Sequence, residues 1–385
     1  MIYKARRILR DWGGRQFGLL VRGLALAALA LTLNAAWSPD RAAAFPSCTS
    51  GPGLVVGVCG NLISNLLGSL AGDASGNDIT DDVATANAGA FGGSGGTPPL
   101  NFAPVPATDP RYDRAFKALA YASPGTAGGP MPGSDLTVWG SVRGTQSNTS
   151  FANAYSGNQF NLTAGIGKWV SPDVVVGVLG GYESFDYTLG GIFGGTLKGK
   201  GGTIGAYTGW QFAPNWRFDG VLGWTGLGYD ATYNGGTGSF SARRWLTSAG
   251  VTGRYNHGAA VVEPSARIYA VFEDRDAWTD NNSVSNPAQS VTTGRGSVGA
   301  KLLYPMMTGM GTVSPYVGLY GDWRFSNGSG VLTGYEAISG LSGRVVAGIG
   351  LTTPSASRFS LDAEVGGLGA SYTVWSVRAQ AAVPF

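Results

Sequence analysis

Few residues of this chain have types and spacing that could do chemistry. The only histidine, His257, stands in an Asn256-His257-Gly258 run that reads as a tight turn. A Ser-His-Asp arrangement needs a buried, oriented base, and no second histidine exists to supply one. The run GRGSVG from Gly294 to Gly299 has G-x-G-x-x-G spacing. No helix-forming stretch follows it, so no βαβ unit is there to cradle a dinucleotide. In a strand such glycines serve bending or close packing. Glu263 and Glu273 could act as acid–base groups, but arginines share their neighbourhood and they read first as ion pairs. Cys48 and Cys59 lack the histidines that would complete a tetrahedral zinc shell. In an oxidising compartment they are expected to close a small disulfide loop. The expectation is no enzyme, no cofactor and no metal.

The charged residues carry more information than these motifs. They make up 13% of the chain, about half the usual ~25%, and from residue 136 onward they alternate with apolar residues. Trp216, Phe218, Leu222 and Trp224 share one face of a strand, and Arg217, Asp219 and Thr225 the other. Val262, Ala266, Ile268, Ala270 and Phe272 oppose Glu263, Arg267, Tyr269 and Glu273. Val313, Val317, Leu319 and Trp323 oppose Tyr316, Tyr320, Asp322 and Arg324, and Phe359, Leu361 and Ala363 oppose Asp362 and Glu364. The last strand, Thr373 to Phe385, puts Trp375, Val377, Ala379, Ala381 and Val383 on one face and Ser376, Arg378 and Gln380 on the other. One lipid face and one wet face fit a transmembrane β-barrel. A secreted β-sandwich or solenoid would share the alternation and the glycines.

An arginine or lysine facing lipid in mid-strand costs about 2–4 kcal/mol, so these charges are expected to point into a lumen. The expected lumen set is Arg143, Arg217, Arg244, Arg254, Arg267, Arg295, Lys301, Arg324, Arg344 and Arg378, against Asp219, Glu263, Glu273, Asp322, Asp362 and Glu364. Such a lining serves either as a network of ion pairs that props the wall, or as an anion-biased pore or polypeptide cradle. The faces of the first three strands are blurred by glycines such as Gly177 and Gly181. Trp216, Trp245, Trp323 and Trp375, with Tyr182, Tyr255 and Tyr304, sit where interfacial aromatic girdles are expected.

The elements that hold these residues divide the chain in three. Residues 1–44 read as an export signal: Lys4, Arg6, Arg7, Arg10, Arg15 and Arg22 precede the apolar core Leu24 to Leu33, and Ala42 to Ala44 offer a cleavage site. The alternative is an amino-terminal membrane anchor. Residues 45–135 read as a flexible segment, broken by glycine and proline near 93–99 and 104–106. Within it, residues 60–70 could form a short helix or a loop, and 109–123 is the best helix candidate, with Asp109 as cap and Pro110 in the first turn. Residues 136–385 read as an all-β, antiparallel up-and-down barrel of about twelve strands. The strands are placed near 136–145, 158–170, 174–187, 198–212, 215–231, 240–255, 260–275, 290–304, 313–325, 341–353, 357–367 and 373–385. Short connections near 171–173, 213–215, 256–258 and 354 alternate with longer ones at 190–195, 234–238, 278–289 and 326–339. That sorting suits periplasmic turns and extracellular loops. The net charge is only +3, with no basic, aromatic-interleaved cluster after the amino terminus, so a nucleic-acid partner has no support.

Residues 161–173 (NLTAGIGKWVSPD), 176–182, 262–269, 296–302, 314–316 and the strand ending in Phe385 together resemble the translocator β-domain of autotransporters. The resemblance covers about residues 136–385. It implies a monomeric twelve-stranded barrel in a Gram-negative outer membrane, with a helix threading the lumen and an amino-terminal passenger delivered to the cell surface. It also implies that the barrel-assembly machinery reads the terminal strand, here Trp375, Val383 and Phe385, with periplasmic chaperones as earlier partners. The chain departs from the family in three respects. Only about ninety residues separate signal and barrel, with no β-helical repeat among them. The 109–123 helix is not joined directly to the first strand. Pro384 precedes the terminal aromatic. The expected function is a barrel that anchors or exports its own short amino-terminal segment. The alternatives are a surface barrel acting in adhesion through loops 278–289 and 326–339, or a passive small-solute pore.

Overall fold

The computed structural model describes residues 57–91, 136–149, 155–190, 194–233, 236–328 and 340–384, all within the compact unit Phe45–Phe385. The export signal, the 109–123 helix candidate, Cys48 and Phe385 lie outside these residues, as does most of the 326–339 loop.

Among the described residues, twelve long strands follow one helix. The helix, α1, spans Gly57–Ala90. The strands are Leu136–Thr149 (β1), Tyr155–Ser171 (β2), Val174–Leu189 (β3), Gly195–Ala213 (β4), Trp216–Tyr233 (β5), Gly236–Gly253 (β6), Ala260–Arg275 (β7), Gln289–Leu303 (β8), Gly311–Gly328 (β9), Gly340–Thr352 (β10), Arg358–Leu368 (β11) and Tyr372–Pro384 (β12). Each pairs antiparallel with its neighbours in sequence, and β12 pairs with β1 from Thr137↔Pro384 to Thr149↔Tyr372. Closure leaves no edge strand unpaired, the condition for backbone to cross a bilayer as a sheet.

All twelve expected strands are present, most of them longer at the loop ends than the alternation suggested. The 234–238 connection shrinks to two residues, because β5 runs to Tyr233 and β6 starts at Gly236. The two longest connections, after β7 and β9, share one end of the barrel with the start of β12. The opposite end, where β1 begins, is here called the short-turn end.

Alternation sorts the residues as a lipid-facing barrel requires. Ile204, Leu222, Trp245, Phe272, Val298, Leu319, Leu361 and Trp375 are exposed on the outside. The blurred strands resolve too: Val138, Val142, Phe160, Leu162, Val176 and Val178 point out, while Trp139, Arg143, Asn161, Leu179 and Glu183 point in. Charges do face outward, but towards the barrel's ends: Lys168 is exposed near the short-turn end, and the others stand at the long-loop end. There Lys198 pairs with Asp186 at 2.9 Å and Arg243 with Asp276 at 3.1 Å. These strands run beyond the ~10 residues a tilted strand needs to span hydrocarbon, so their outer ends stand in water. Two glycines of the GRGSVG run are packing positions: a Cβ on Gly294 would strike the Tyr269 carbonyl and the Phe325 ring, and one on Gly299 the Leu319 carbonyl.

Leu222→Arg, in the apolar band, is expected to cost about 2–4 kcal/mol. Asp230→Arg, on the exposed outer rim, should change stability by less than about 0.5 kcal/mol. Urea titration of tryptophan fluorescence in lipid vesicles measures both; equal losses would put the band elsewhere.

Candidate functional site

The lumen is the site, and α1 fills it. The sequence reading gave this stretch at most a short helix at 60–70 within loose chain; the structure extends one helix over 34 residues. Its low-propensity residues, Gly, Asp, Asn and Thr, do not favour a free helix in water. The barrel supplies what propensity lacks, because nearly every described side chain from Ser64 to Phe91 is buried. Burial on all sides removes the usual amphipathic stripe, so the sequence shows no 3.6-residue apolar period here.

Two apolar contacts grip the helix. Near the long-loop end, Leu67, Leu70 and Ala71 sit in a collar of Phe185, Leu197, Tyr229, Phe240 and Trp278. The Tyr229 and Phe240 rings stack at 4.8 Å, and Phe240 and Trp278 at 5.4 Å. The 276–288 connection folds into this collar. Its Asp280 accepts hydrogen bonds from Tyr233 (2.7 Å) and the amides of Asn282 and Val284. Although burial opposes it, these bonds outweigh burial and hold the carboxyl below its usual range. Near the short-turn end, Ile79, Val83 and Phe91 pack with Trp139, Val175, Leu179, Tyr207 and Val221. Phe91 meets Trp169 edge-on at 4.9 Å. The amino terminus of α1 therefore points to the long-loop end and its carboxy terminus to the short-turn end.

Close approach depends on a glycine row. Gly68, Gly72 and Gly76 recur every four residues and lie on one face. A Cβ on Gly76 would stand 2.6 Å from the Tyr269 ring, one on Gly72 3.2 Å from Thr293, and one on Gly68 would collide with the Arg275 guanidinium.

The remaining contacts are ionic. The only charges on α1 are Asp73, Asp78, Asp81 and Asp82. The wall presents two pairs of arginines directly opposite one another, Arg143↔Arg378 at the β1–β12 seam and Arg295↔Arg324 on β8 and β9. Like charges in that position repel. Helix aspartates answer both. Arg143 bonds Asp78 and Asp81 at 3.1 Å each, and Arg378 reaches Asp82 at 3.5 Å and wall Asp362 at 3.0 Å. Arg324 reaches Asp73 at 3.0 Å. Arg267 bonds Asp81 at 2.9 Å.

The other lumen residues expected from sequence are also placed. Arg244 holds Glu273 and Glu183, both at 2.8 Å, and Glu183 accepts a hydrogen bond from Ser75 of α1 at 2.5 Å. Arg344 bridges Asp322 and Glu364 at 2.8 Å each, and Arg295 lies 3.7 Å from Asp322. Arg217 lies 3.4 Å from Asp219, which accepts a hydrogen bond from Asn87 of α1 at 3.0 Å. Arg254 bonds Glu263 at 2.6 Å. The Lys301 ammonium sits 4.5 Å from the Tyr316 ring. On β12, Trp375 is exposed to the outside and Val383 is half-buried. His257 is exposed at a hairpin tip.

The sequence reading missed Glu183, whose strand was blurred by glycine, and Arg275 and Arg358, which stand at strand ends. It also missed all four aspartates of α1. Two signals pointed to the helix: the glycine spacing 68–72–76, and the absence of proline from 53 to 97.

The model of the autotransporter beta-domain family matches residues 138–366. No curated protein matches the chain. Among solved structures, the β-domain of the Bordetella autotransporter BrkA is similar at 18% identity, covering 65% of this chain and 100% of that one, with a TM-score of 0.53. The transport unit of AIDA-I from Escherichia coli is 14% identical, covering 65% and 90%, with a TM-score of 0.52. The translocator domain of NalP from Neisseria meningitidis is 15% identical, covering 71% and 95%, with a TM-score of 0.52. At these identities the likeness is one of fold.

Gly76→Leu is expected to unseat α1, because the Tyr269 ring has no room to yield. Protease treatment of the purified barrel in detergent should then cut within 64–90, a segment protected in the parent. Arg344→Leu leaves Asp322 and Glu364 buried and under-compensated, at an expected cost of about 3–5 kcal/mol, read as a lower urea midpoint.

Proposed function

The chain belongs to the autotransporter β-domain family, and on that premise we propose that this outer-membrane barrel anchors and exports its own amino-terminal segment. The observation that carries the reading is the direction of α1. Leu66, Leu67, Leu70 and Ala71 stand among Tyr155, Phe185 and Trp278 at the long-loop end, and Ile79, Val83 and Phe91 among Trp139 and Val175 at the other. With long loops outside the cell, the stretch before Gly57 is the part displayed at the surface, and Phe91 and the start of β1 both face the periplasm. The cargo is then the short stretch after the signal, tied back to the first turn of α1, which carries Cys59, by a Cys48–Cys59 disulfide.

Two features support α1 as the stalk of that segment. Its contacts with the wall are extensive and polar as well as apolar, which suits a permanent plug. The 276–288 connection is tied into the aromatic collar by Trp278 and Asp280, which favours closing the mouth over adhesion. Delivery of the unfolded barrel by periplasmic chaperones and insertion by the barrel-assembly machinery, reading Trp375, Val383 and Phe385, belong to the same proposal.

An epitope inserted between Gly51 and Pro52 should bind antibody on intact cells and be removed by added protease, while a periplasmic marker stays protected. Antibody access only after the outer membrane is permeabilised would overturn the reading.

A further inference from the structure

We propose that the outer wall of β4–β6, near the long-loop end, binds the phosphate of a glycolipid in the surrounding leaflet, held between Lys200 and Arg243. The proposal rests on the long loops facing outside the cell, and not on what the amino-terminal segment does there.

Cross-strand pairing arranges the outward residues of β3–β7 in rows. The row of Ile204, Trp224, Trp245 and Phe272 is apolar and belongs to the lipid-facing band. The next row towards the long-loop end runs Tyr182, Gly202, Gly226, Arg243 and Asp274. The row beyond it runs Ser184, Lys200, Gly228 and Ser241. Lys200 and Arg243 therefore stand directly above an aromatic row, the level at which headgroups replace hydrocarbon.

Between the two cations lies bare backbone. Gly202, Gly226 and Gly228 occupy the positions that separate Lys200 from Arg243, across two strand spacings or about 10 Å. Packing within the chain does not call for glycine at two of these. A Cβ on Gly228 would meet nothing, and one on Gly202 only the Gly181 carbonyl at 4.0 Å. The result is a notch open to the membrane, with a cation on either side.

Both cations have donors to spare. Lys200 is exposed and has no ion-pair partner among the described residues. The carboxylates nearest to it in register are engaged elsewhere. Asp186 pairs with Lys198 at 2.9 Å, and Asp230 accepts a hydrogen bond from Ser239 at 2.6 Å. Arg243 bonds Asp276 at 3.1 Å, with side chains 65% and 49% exposed. An exposed pair of this kind is worth little, and it leaves most of the guanidinium fork for a phosphate. Asp274 accepts a hydrogen bond from Ser290 at 2.6 Å. Ser184 and Ser241 border the same floor, and their hydroxyls suit a sugar phosphate better than a plain phosphodiester. The acyl chains then run down the wall over Ile204, Leu222 and Trp245, all exposed.

The test uses the full chain folded in detergent with EDTA present, and lipid A as the probe. The midpoint of thermal unfolding, read by loss of the heat-dependent gel shift, should rise with lipid A and saturate. Dephosphorylated lipid A should leave it unmoved. Lys200→Gln with Arg243→Gln should weaken the apparent affinity about tenfold, with the lipid-free midpoint kept. Lys200→Arg should bind as the parent does. Gly228→Leu, which fills the notch and keeps both charges, should weaken binding as the glutamine pair does. No saturable rise, an equal rise with the dephosphorylated lipid, a rise that requires magnesium (the mark of bridging to the rim carboxylates), or a glutamine pair that binds like the parent would each overturn the proposal. A rise with phosphatidylglycerol alone would overturn it too, and with it the outward orientation of the long loops. Lipid A binding without surface display would instead sink only the export reading.

Discussion

Arg143 and Arg378 face each other across the seam where the first and last strands meet. Closing the barrel brings two guanidinium groups together inside a low-dielectric lumen, where repulsion is large. A second opposed pair, Arg295 and Arg324, repeats the problem on β8 and β9. The wall carboxylates Asp322 and Asp362 relieve part of it, and the rest falls to Asp73, Asp78, Asp81 and Asp82 of α1. The helix is thus a counter-charge as well as a plug. A barrel without it would close around uncompensated cations, and the helix without the barrel would expose four acids and few helix formers. Each makes the other stable.

That mutual dependence explains the division of the helix surface. Ion pairing requires aspartates towards the seam and β9. Close packing requires the glycine row at 68, 72 and 76 against β7 and β8, and leucine, isoleucine and valine towards β3–β7. No side is left for water, so the helix lacks the two-faced pattern by which surface helices are known. Uneven side-chain length across the lumen also leaves a cavity of about 90 Å³ between Asp81 and Thr85 of α1 and Arg295, Lys301, Arg344 and Arg378 of the wall. Tight packing on one wall and short acids on the other have opposite consequences for space.

Much of the barrel was legible because a bilayer imposes a strict rule on each strand. Alternating Arg217, Asp219, Glu263, Arg267, Asp362 and Glu364 against leucine, valine and aromatic residues admits one arrangement in lipid, and that arrangement is found. Strands β1–β3 were harder to read. Glycine at 177 and 181 gives neither face a signature, and inward Phe185, Tyr187 and Leu189 match the helix collar rather than a wet lumen. Glu183 was hidden for the same reason. The outward charges Lys198, Asp230 and Arg243 show the limit of the rule. It holds only where hydrocarbon touches the wall.

By itself the sequence determined the number and order of the strands, and the facing of those after β3, because side-chain alternation and the cost of a charge in lipid are local and repeat from strand to strand. It also determined that the lumen would be lined by opposed charges. It did not determine what fills that lumen. The helix is specified by contacts between residues 64–91 and strands 50 to 300 positions away, including Arg143, Glu183, Tyr269 and Gln380. Such contacts leave no short-range period in the chain. Only the closed barrel brought Asp78, Asp81 and Asp82 to the seam arginines, and only that geometry set the direction in which α1 runs.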